Sequence, residues 1–185
     1  PQPNGPQLAV NLYCPHPQPR PGVLIPYSVI PPYMLRNIND HCSGVPQNSA
    51  RRTLTHVQHL MAEHNRHTTS VATSPPGKVL RTIYDAENTQ NLPGTLIRDE
   101  GQPANGDVAA EEAWNYLGIT YDFYWQVFKR NSLDNKGLKL DGTVHYGKEY
   151  QNAFWNGQQM VFGDGDGEIF NRFTIALDVV AHELT

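Results

Sequence analysis

Prolines are concentrated at the start of the chain, where 10 of the 15 lie within residues 1–32. Proline has no backbone N–H and its ring clashes with the preceding helical turn, so this region cannot supply the interior of a helix. We expect residues 1–22 to form a Pro-rich extension that is extended or disordered. Residues 23–35, with the sequence VLIPYSVIPPYML, are too apolar for a free linker, so we expect them to dock on the rest of the protein.

Charge and hydropathy argue against two classes of partner. The net charge is −4 at pH 7 and the densest basic cluster, ARR at residues 50–52, is short, so we expect no nucleic-acid partner. No stretch approaches the roughly 18 apolar residues of a membrane span, so we expect no membrane partner. The sequence also shows no signal peptide. Cys14 and Cys42 can form one disulfide or both stay free.

Hydrophobic periodicity predicts two helices with an exposed loop between them. Apolar residues recur at helical spacing over residues 49–64, and Ser49 is placed to cap the N-terminus of that helix. Residues 107–130 form a second helical pattern, which Asp107 caps. Residues 65–77 are polar and end in Pro-Pro-Gly, which predicts a surface loop open to proteolysis. This loop divides the chain into two parts.

The second part is predicted to combine strands with helices. Gly118 interrupts the long helix and indicates a bend, while the aromatic side chains of that helix are most simply explained as core packing. These aromatic residues are Trp114, Tyr121, Tyr124, Trp125 and Phe128. Further strand-like or helical segments lie within residues 78–86, 95–97, 131–147, 158–170 and 174–185, the last of them a helix.

The final residues, VVAHELT at 179–185, place a His-Glu pair on an apolar helix. Such a helix must be largely buried, and burying a carboxylate without a partner is costly. A zinc ion would supply the partner. In the His-Glu-x-x-His arrangement, two histidines one turn apart bind one metal and the glutamate takes a proton from the bound water. Under this hypothesis the second histidine is expected directly after Thr185.

Longer motifs carry a family resemblance. NAFWNGQQMVFGDGDG at 152–167, followed by DVVAHELT at 178–185, closely resembles the thermolysin-like (M4) metallopeptidases, and TVHYGKEYQNAFWNG and LGITYDFYWQVF extend the match. The resemblance covers about Lys78 to Thr185. It implies an α+β fold, namely the mixed strand and helix N-terminal domain of such a peptidase, ending in the zinc helix and without the family's helical C-terminal domain. It also implies a secreted zinc endopeptidase, with a cytoplasmic location as the alternative.

The resemblance implies metal and catalytic roles for three residues of the last helix. His182 would be a zinc ligand through its imidazole, and Glu183 would be the general base that activates the zinc-bound water. Asp178, four residues before His182, would contribute to a calcium site. The implied cofactors are therefore Zn²⁺ and Ca²⁺. Because a catalytic zinc needs three protein ligands, the chain alone is expected to be inactive.

Four further residues are implied to bind peptide or protein substrates. Asn152 and the backbone of Ala153 would hold the substrate as an added strand on the edge of a sheet. Phe170 and Val179 would line the pocket for an apolar side chain after the cut bond. The implied specificity is cleavage on the amino side of large hydrophobic residues.

The first part of the chain resembles the short propeptide of protealysin-type members of the same family. The match rests on SVIPPYMLRNI at 28–38, with its Pro-Pro-Tyr motif, and on the helix that follows. It implies a propeptide at residues 23–68 that assists folding and occupies the active-site cleft until it is cut. Residues 69–185 would then be the N-terminal domain of the peptidase.

Two alternatives concern how the precursor is kept inactive and which class of protein the chain represents. A Cys42 thiolate could bind the zinc and keep the precursor silent, although a free or partly buried thiol is the commoner state. The chain could also be a non-catalytic binding or inhibitor module on a peptidase-like scaffold. The residue after Thr185 discriminates between the peptidase and the binding module, because only a histidine there completes the motif.

Two other patterns suggest metal sites that simpler structures explain. GDGDG could mark a calcium-dependent adhesion domain, but an EF-hand loop beginning at Asp164 would place Ile175 where a glutamate is required, so we predict a tight turn closed by Asp side chains. His56, His59, Glu63 and His67 cluster on the first helix and could bind a second metal. A solvated polar helix face is the simpler explanation.

Overall fold

The structure is a computed structural model that describes residues 28–63 and 72–183. The Pro-rich extension, the start of the predicted propeptide and part of the predicted cleavage loop lie outside these residues. Its helices and strands are α1 Pro32–His41, α2 Val45–Glu63, β1 Arg81–Asp85, β2 Thr95–Asp99, α3 Val108–Phe128, β3 Leu140–Val144, β4 Ala153–Trp155, β5 Met160–Phe162, a 3-10 turn Phe173–Ile175, and α4 Leu177–Glu183.

The strands form one mixed sheet in the order β2-β1-β3-β5-β4. The central pairs β1–β3 and β3–β5 are parallel, while the outer pairs β1–β2 and β4–β5 are antiparallel. Helix α3 forms the crossover from the β1–β2 hairpin to the parallel strand β3, and it packs on β1 and β3. This arrangement is the predicted α+β fold. The short strand β4, which the sequence did not reveal, lies at one end of the sheet order.

Helix α3 is the rigid element behind the sheet. Asp107 caps it by accepting a hydrogen bond from the Ala110 backbone N–H at 2.8 Å, as predicted. Ala110, Ala113 and Leu117 are fully buried in the core. The predicted core role of Phe128 is wrong, because its ring is 63% exposed. It packs against Phe123 and Tyr124 on the surface of its own helix instead.

Gly118 lies within α3, which continues unbroken through it, and the predicted bend there stays a prediction. It makes room for Arg81, whose guanidinium donates to the Trp114 carbonyl at 3.1 Å and lies 4.1 Å from the centre of the Trp114 ring. The same guanidinium binds both oxygens of Glu100, at 3.0 and 2.9 Å. A Cβ at position 118 would lie 2.4 Å from Nη1 of Arg81, so any larger residue would have to displace this guanidinium.

The two helices of the first part, α1 and α2, pack against each other. Pro32 occupies the first position of α1, where its missing N–H is tolerated. Helix α2 begins at Val45, four residues earlier than predicted. Ser49 is therefore not a cap but a buried residue inside α2, and its hydroxyl donates to Glu149 at 3.2 Å. None of the helices in the described ranges is long and apolar enough to span a membrane.

We predict that Gly118→Ala destabilises the chain by about 1–3 kcal/mol, because the methyl group must displace an anchored guanidinium. An exposed glycine in a helix would instead gain roughly 1 kcal/mol from the same change. Urea unfolding monitored by circular dichroism measures the difference. Asn115→Ala, at an exposed position of the same helix, is the matched control and should stay within about 0.5 kcal/mol of the wild type. A stabilised Gly118→Ala variant would contradict the packing account.

Candidate active site

Helix α4 carries the residues predicted to bind metal. Asp178 lies in its first turn and is exposed, and His182 lies in its last turn and is also exposed. Val180 is fully buried and packs the inner face of α4 into the main core. Glu183 is the last residue of α4. The predicted spacing of Asp178 and His182 by four residues therefore places both on one side of a real helix.

The edge of the sheet at Asn152 and Ala153 is occupied by the chain's own N-terminal part. The Asn152 side chain accepts a hydrogen bond from the Ile30 N–H at 2.8 Å and donates to the Ile30 carbonyl at 3.0 Å. The Ala153 carbonyl accepts from the Val29 N–H at 3.1 Å. Ser28 forms an antiparallel bridge with Phe154. Residues 28–30 thus lie beside β4 through one antiparallel bridge and the Asn152 side chain. This confirms docking for the described part of the apolar segment, while residues 23–27 lie outside the described residues.

The predicted pocket residues pack against the same main core to which the docked segment contributes. Ile30 and Ala153 are buried in one apolar cluster, and Phe170 and Val179 pack against that cluster while staying partly exposed. The ring of Phe170 stacks against Phe173 with the ring centres 5.7 Å apart. Helix α4, which carries Val179, contacts β4, which begins at Ala153. The grouping of Phe170 and Val179 with Asn152 and Ala153 as one substrate site stays a prediction.

Helix α2 covers the loop that leads into this edge. Arg52 forms an ion pair with Glu149 at 2.5 Å, and the Thr53 hydroxyl accepts from the Gln151 N–H at 3.0 Å. His56 bonds the hydroxyls of Tyr146 and Tyr150 at 2.8 and 2.9 Å through its two ring nitrogens. The suggestion that His56 belongs to a solvated polar face is therefore wrong. The side chains of Glu63 and His67 lie outside the described part.

The Gly-Asp turn is closed by one of its two aspartates. Asp166 accepts hydrogen bonds from the backbone N–H groups of Glu168, Ile169 and Phe170 at 2.9–3.1 Å, as predicted for a tight turn. Its second oxygen accepts from the Gln151 side chain at 2.5 Å. The turn therefore holds the backbone of Phe170 next to the residue that precedes Asn152.

Asp164 has a different role, because it binds His145. The Nδ1 of His145 contacts Asp164 at 2.8 Å and its Nε2 contacts Asp107 at 3.1 Å. The hydrogen bond to Asp164 raises the pKa of His145 to about 9, against the opposing effect of burial, and Asp107 adds to the rise. The imidazolium therefore joins the start of α3 to the Gly-Asp turn at neutral pH.

The described residues do not form a complete zinc site. Ranges 28–63 and 72–183 contain no group of three His, Cys, Asp or Glu side chains that could hold a metal ion. His182 supplies one imidazole donor of the kind zinc prefers, whereas a catalytic zinc requires three protein ligands. Cys42 is a free, half-buried thiol at the C-terminal end of α1. Its suggested role as a zinc switch stays a prediction.

Several residues around the site could not be found from the sequence. His145 lies 38 residues after Asp107 and 19 before Asp164, so no local spacing links them. Glu112 binds Arg172 and Thr174 across about 60 residues in the same way. Gln151 carried no signal either, since buried amides have no sequence pattern. The contacts of Asp107 and Glu112 arise from the crossover that places α3 against the residues after β3 and β5.

Comparison with known proteins identifies the family that this α+β fold represents. Residues 47–185 match the family described as thermolysin metallopeptidase, catalytic domain. The chain therefore belongs to the thermolysin family of metallopeptidases. The matched range begins inside α2, within the predicted propeptide, so it does not test the predicted boundary between residues 68 and 69.

Individual relatives show the same relationship. An extracellular metalloprotease of Pectobacterium carotovorum subsp. carotovorum is 62% identical over 158 residues, which are 85% of this chain and 46% of the relative. Protease PrtS of Photorhabdus sp. (strain Az29) is 52% identical, over 85% of this chain and 44% of the relative. The solved precursor of protealysin, a metalloproteinase from Serratia proteamaculans, aligns with a TM-score of 0.75 and 63% identity, over 85% of this chain and 44% of that chain. The chain thus spans somewhat under half the length of these relatives.

We predict that the stabilising effect of His145 disappears at alkaline pH. Its folded pKa of about 9 exceeds its ordinary value of 6.5, so the effect is complete below pH 6.5 and is lost as the pH rises through 9. His145→Gln should cost about 1–2 kcal/mol at pH 6, at the low end for charged hydrogen bonds because the side chains are partly exposed.

Urea unfolding of both proteins between pH 6 and pH 10 measures this difference. His41→Gln, at an exposed position in the last turn of α1, is the control and should change stability little. A difference for His145→Gln that is constant across the pH range would show that the residue contributes through packing rather than through its charge.

Proposed function

We propose that the chain is the N-terminal part of the precursor of a secreted zinc metalloendopeptidase. Residues 23–68 would be its propeptide and residues 69–185 the N-terminal domain of the peptidase. The mature enzyme would hydrolyse peptide bonds on the amino side of large hydrophobic residues. The family membership and the name of the Pectobacterium relative, an extracellular metalloprotease, support this proposal.

The observation that carries the proposal is the pairing of residues 28–30 with β4 and Asn152. A peptide substrate that adds to a sheet edge needs its backbone N–H and carbonyl groups paired with that edge. Asn152 and Ala153 provide such pairs, and in this structure the pairs are made with Val29 and Ile30. The docked segment thus has the backbone contacts expected of a substrate, which supports an inhibitory propeptide in the cleft.

The proposed chemistry assigns His182 as one zinc ligand and Glu183 as the general base. His182 would help to hold the zinc, which would supply Lewis-acid activation of a water, and Glu183 would accept a proton from that water. The remaining protein ligands would have to come from beyond the described residues. Asp178 would contribute to a calcium site, which its exposed position on α4 permits. Phe170 and Val179 would form the walls of the apolar pocket.

The propeptide would also assist folding through α2. Helix α2 contacts a loop in which His145, Gly147 and Glu149 all have positive φ, between 53° and 65°. Such backbone is unfavourable for non-glycine residues and persists only when its surroundings hold it. Arg52, Thr53 and His56 bind this loop, so α2 would favour the conformation that positions Asn152.

We predict that Val29→Pro in the full-length precursor weakens inhibition. Proline removes the N–H that Ala153 accepts, while Val29→Thr keeps it and preserves the β-branched shape. The uncleaved Val29→Pro precursor should hydrolyse a fluorogenic peptide at least several-fold faster than the uncleaved wild type. The Val29→Thr precursor should behave as the wild type does.

Two controls make this experiment decisive. A zinc chelator should abolish all hydrolysis, and processing should be blocked or monitored so that cleaved enzyme is not counted. Equal latency of the proline and threonine variants would contradict inhibition by the added strand. Lack of hydrolysis by the fully processed wild type would contradict the peptidase assignment and favour a non-catalytic binding module.

A further inference from the structure

We infer that Glu112 on α3 is a positioning residue that sets the apolar substrate pocket, by anchoring the segment between Phe170 and α4. The inference rests on the proposed peptidase function, because it concerns the pocket that Phe170 and Val179 would form. Glu112 would act on the pocket walls indirectly. Its carboxylate binds Arg172 and Thr174, which lie between Phe170 and Val179 in the chain.

The anchor consists of three hydrogen bonds to one carboxylate. Arg172 binds Glu112 in a bidentate manner, with its Nε at 2.7 Å and its terminal nitrogen at 2.6 Å from the two oxygens. The hydroxyl of Thr174 donates to the same carboxylate at 2.8 Å. A planar guanidinium bound by two parallel hydrogen bonds fixes orientation as well as distance.

Partial burial and ionisation strengthen this contact. The side chains of Glu112 and Arg172 are only 19% and 30% exposed, and Thr174 is buried. The hydrogen bond from Arg172 lowers the pKa of the Glu112 carboxyl, so the carboxylate stays ionised at neutral pH. The interaction is therefore stronger than an ordinary exposed surface ion pair.

The anchored segment lies between the two walls of the proposed pocket. Arg172 is two residues after Phe170, and Phe173 packs its ring on Phe170. Thr174 precedes α4, whose residue Val179 would form the other wall. The backbone of Phe173 is also bonded to Gly163, with its N–H 3.0 Å from that carbonyl. A shift of this segment would therefore move both walls relative to the edge at Asn152.

The preceding residue of α3 provides a matched control. Glu111 forms an ion pair with Arg98 of β2, with side chains 26% and 12% exposed. This pair resembles the Glu112 pair in residue types, burial and helix position. However, the Glu111–Arg98 pair joins α3 to β2, which lies at the opposite end of the sheet from β4. It does not join α3 to the segment after the Gly-Asp turn. It should therefore matter for stability without affecting the pocket.

The test uses the processed full-length enzyme and two peptides that differ only in the residue after the cut bond, phenylalanine or alanine. In Glu112→Gln and Arg172→Gln, we expect the ratio of kcat/KM for the two peptides to fall about tenfold, mainly through a higher KM for the phenylalanine peptide. The double variant should show about the same fall as either single variant, because both changes break one contact. Thr174→Val, a milder change, should lower the ratio less.

Glu111→Gln should lower the Tm by a similar amount and leave the ratio within about twofold of the wild type. The inference is overturned if Glu112→Gln and Thr174→Val lower the Tm but keep the wild-type ratio, or if Glu111→Gln shifts the ratio equally. If the glutamine variants do not fold, Thr174→Val alone decides. A wild-type enzyme that cleaves neither peptide would instead overturn the proposed function, and that result is recognisable before any variant is measured.

Discussion

The hydrogen bonds between residues 28–30 and the sheet edge at Asn152 and Ala153 join the first part of the chain to the sheet. A strand at the end of a sheet has unpaired N–H and carbonyl groups, which attract any extended peptide. Here the chain pairs them with its own N-terminal part, and the buried Ile30 adds apolar contact to the backbone bonds. The edge at which we propose substrates bind is thus covered by a segment that is covalently attached, which gives that segment a high effective concentration.

The shape of this edge is set from two sides. From one side, α2 of the first part binds the loop with left-handed residues through Arg52, Thr53 and His56. From the other side, α3 binds the turn and the segment before α4 through Asp107, with His145, and through Glu112. Only the second set of contacts belongs to the predicted peptidase domain. It would therefore remain after removal of the propeptide and hold the pocket in the mature enzyme.

The sequence predicted local features well and distant contacts poorly. The cap at Asp107 and the turn closed by Asp166 follow from short-range chemistry, and both are confirmed. The resemblance carried by NAFWNG and HELT indicated the α+β fold and the family correctly. The predicted start of α2 was wrong. Ser49 is a good cap by residue type, but its hydroxyl binds Glu149, which lies 100 residues away in the sequence. Gly118 and His145 likewise owe their roles to partners that no local pattern names.

Hydrogen exchange at the backbone N–H of Ile30 in the full-length precursor tests the central claim most directly. The account predicts strong protection in the wild type, because this N–H is bonded to the Asn152 side chain in a buried position. Asn152→Ala should reduce that protection while leaving the amides of the α3 core protected. Exchange of Ile30 in the wild type at the rate of an unstructured peptide would show that the segment does not occupy the edge, and would contradict the account.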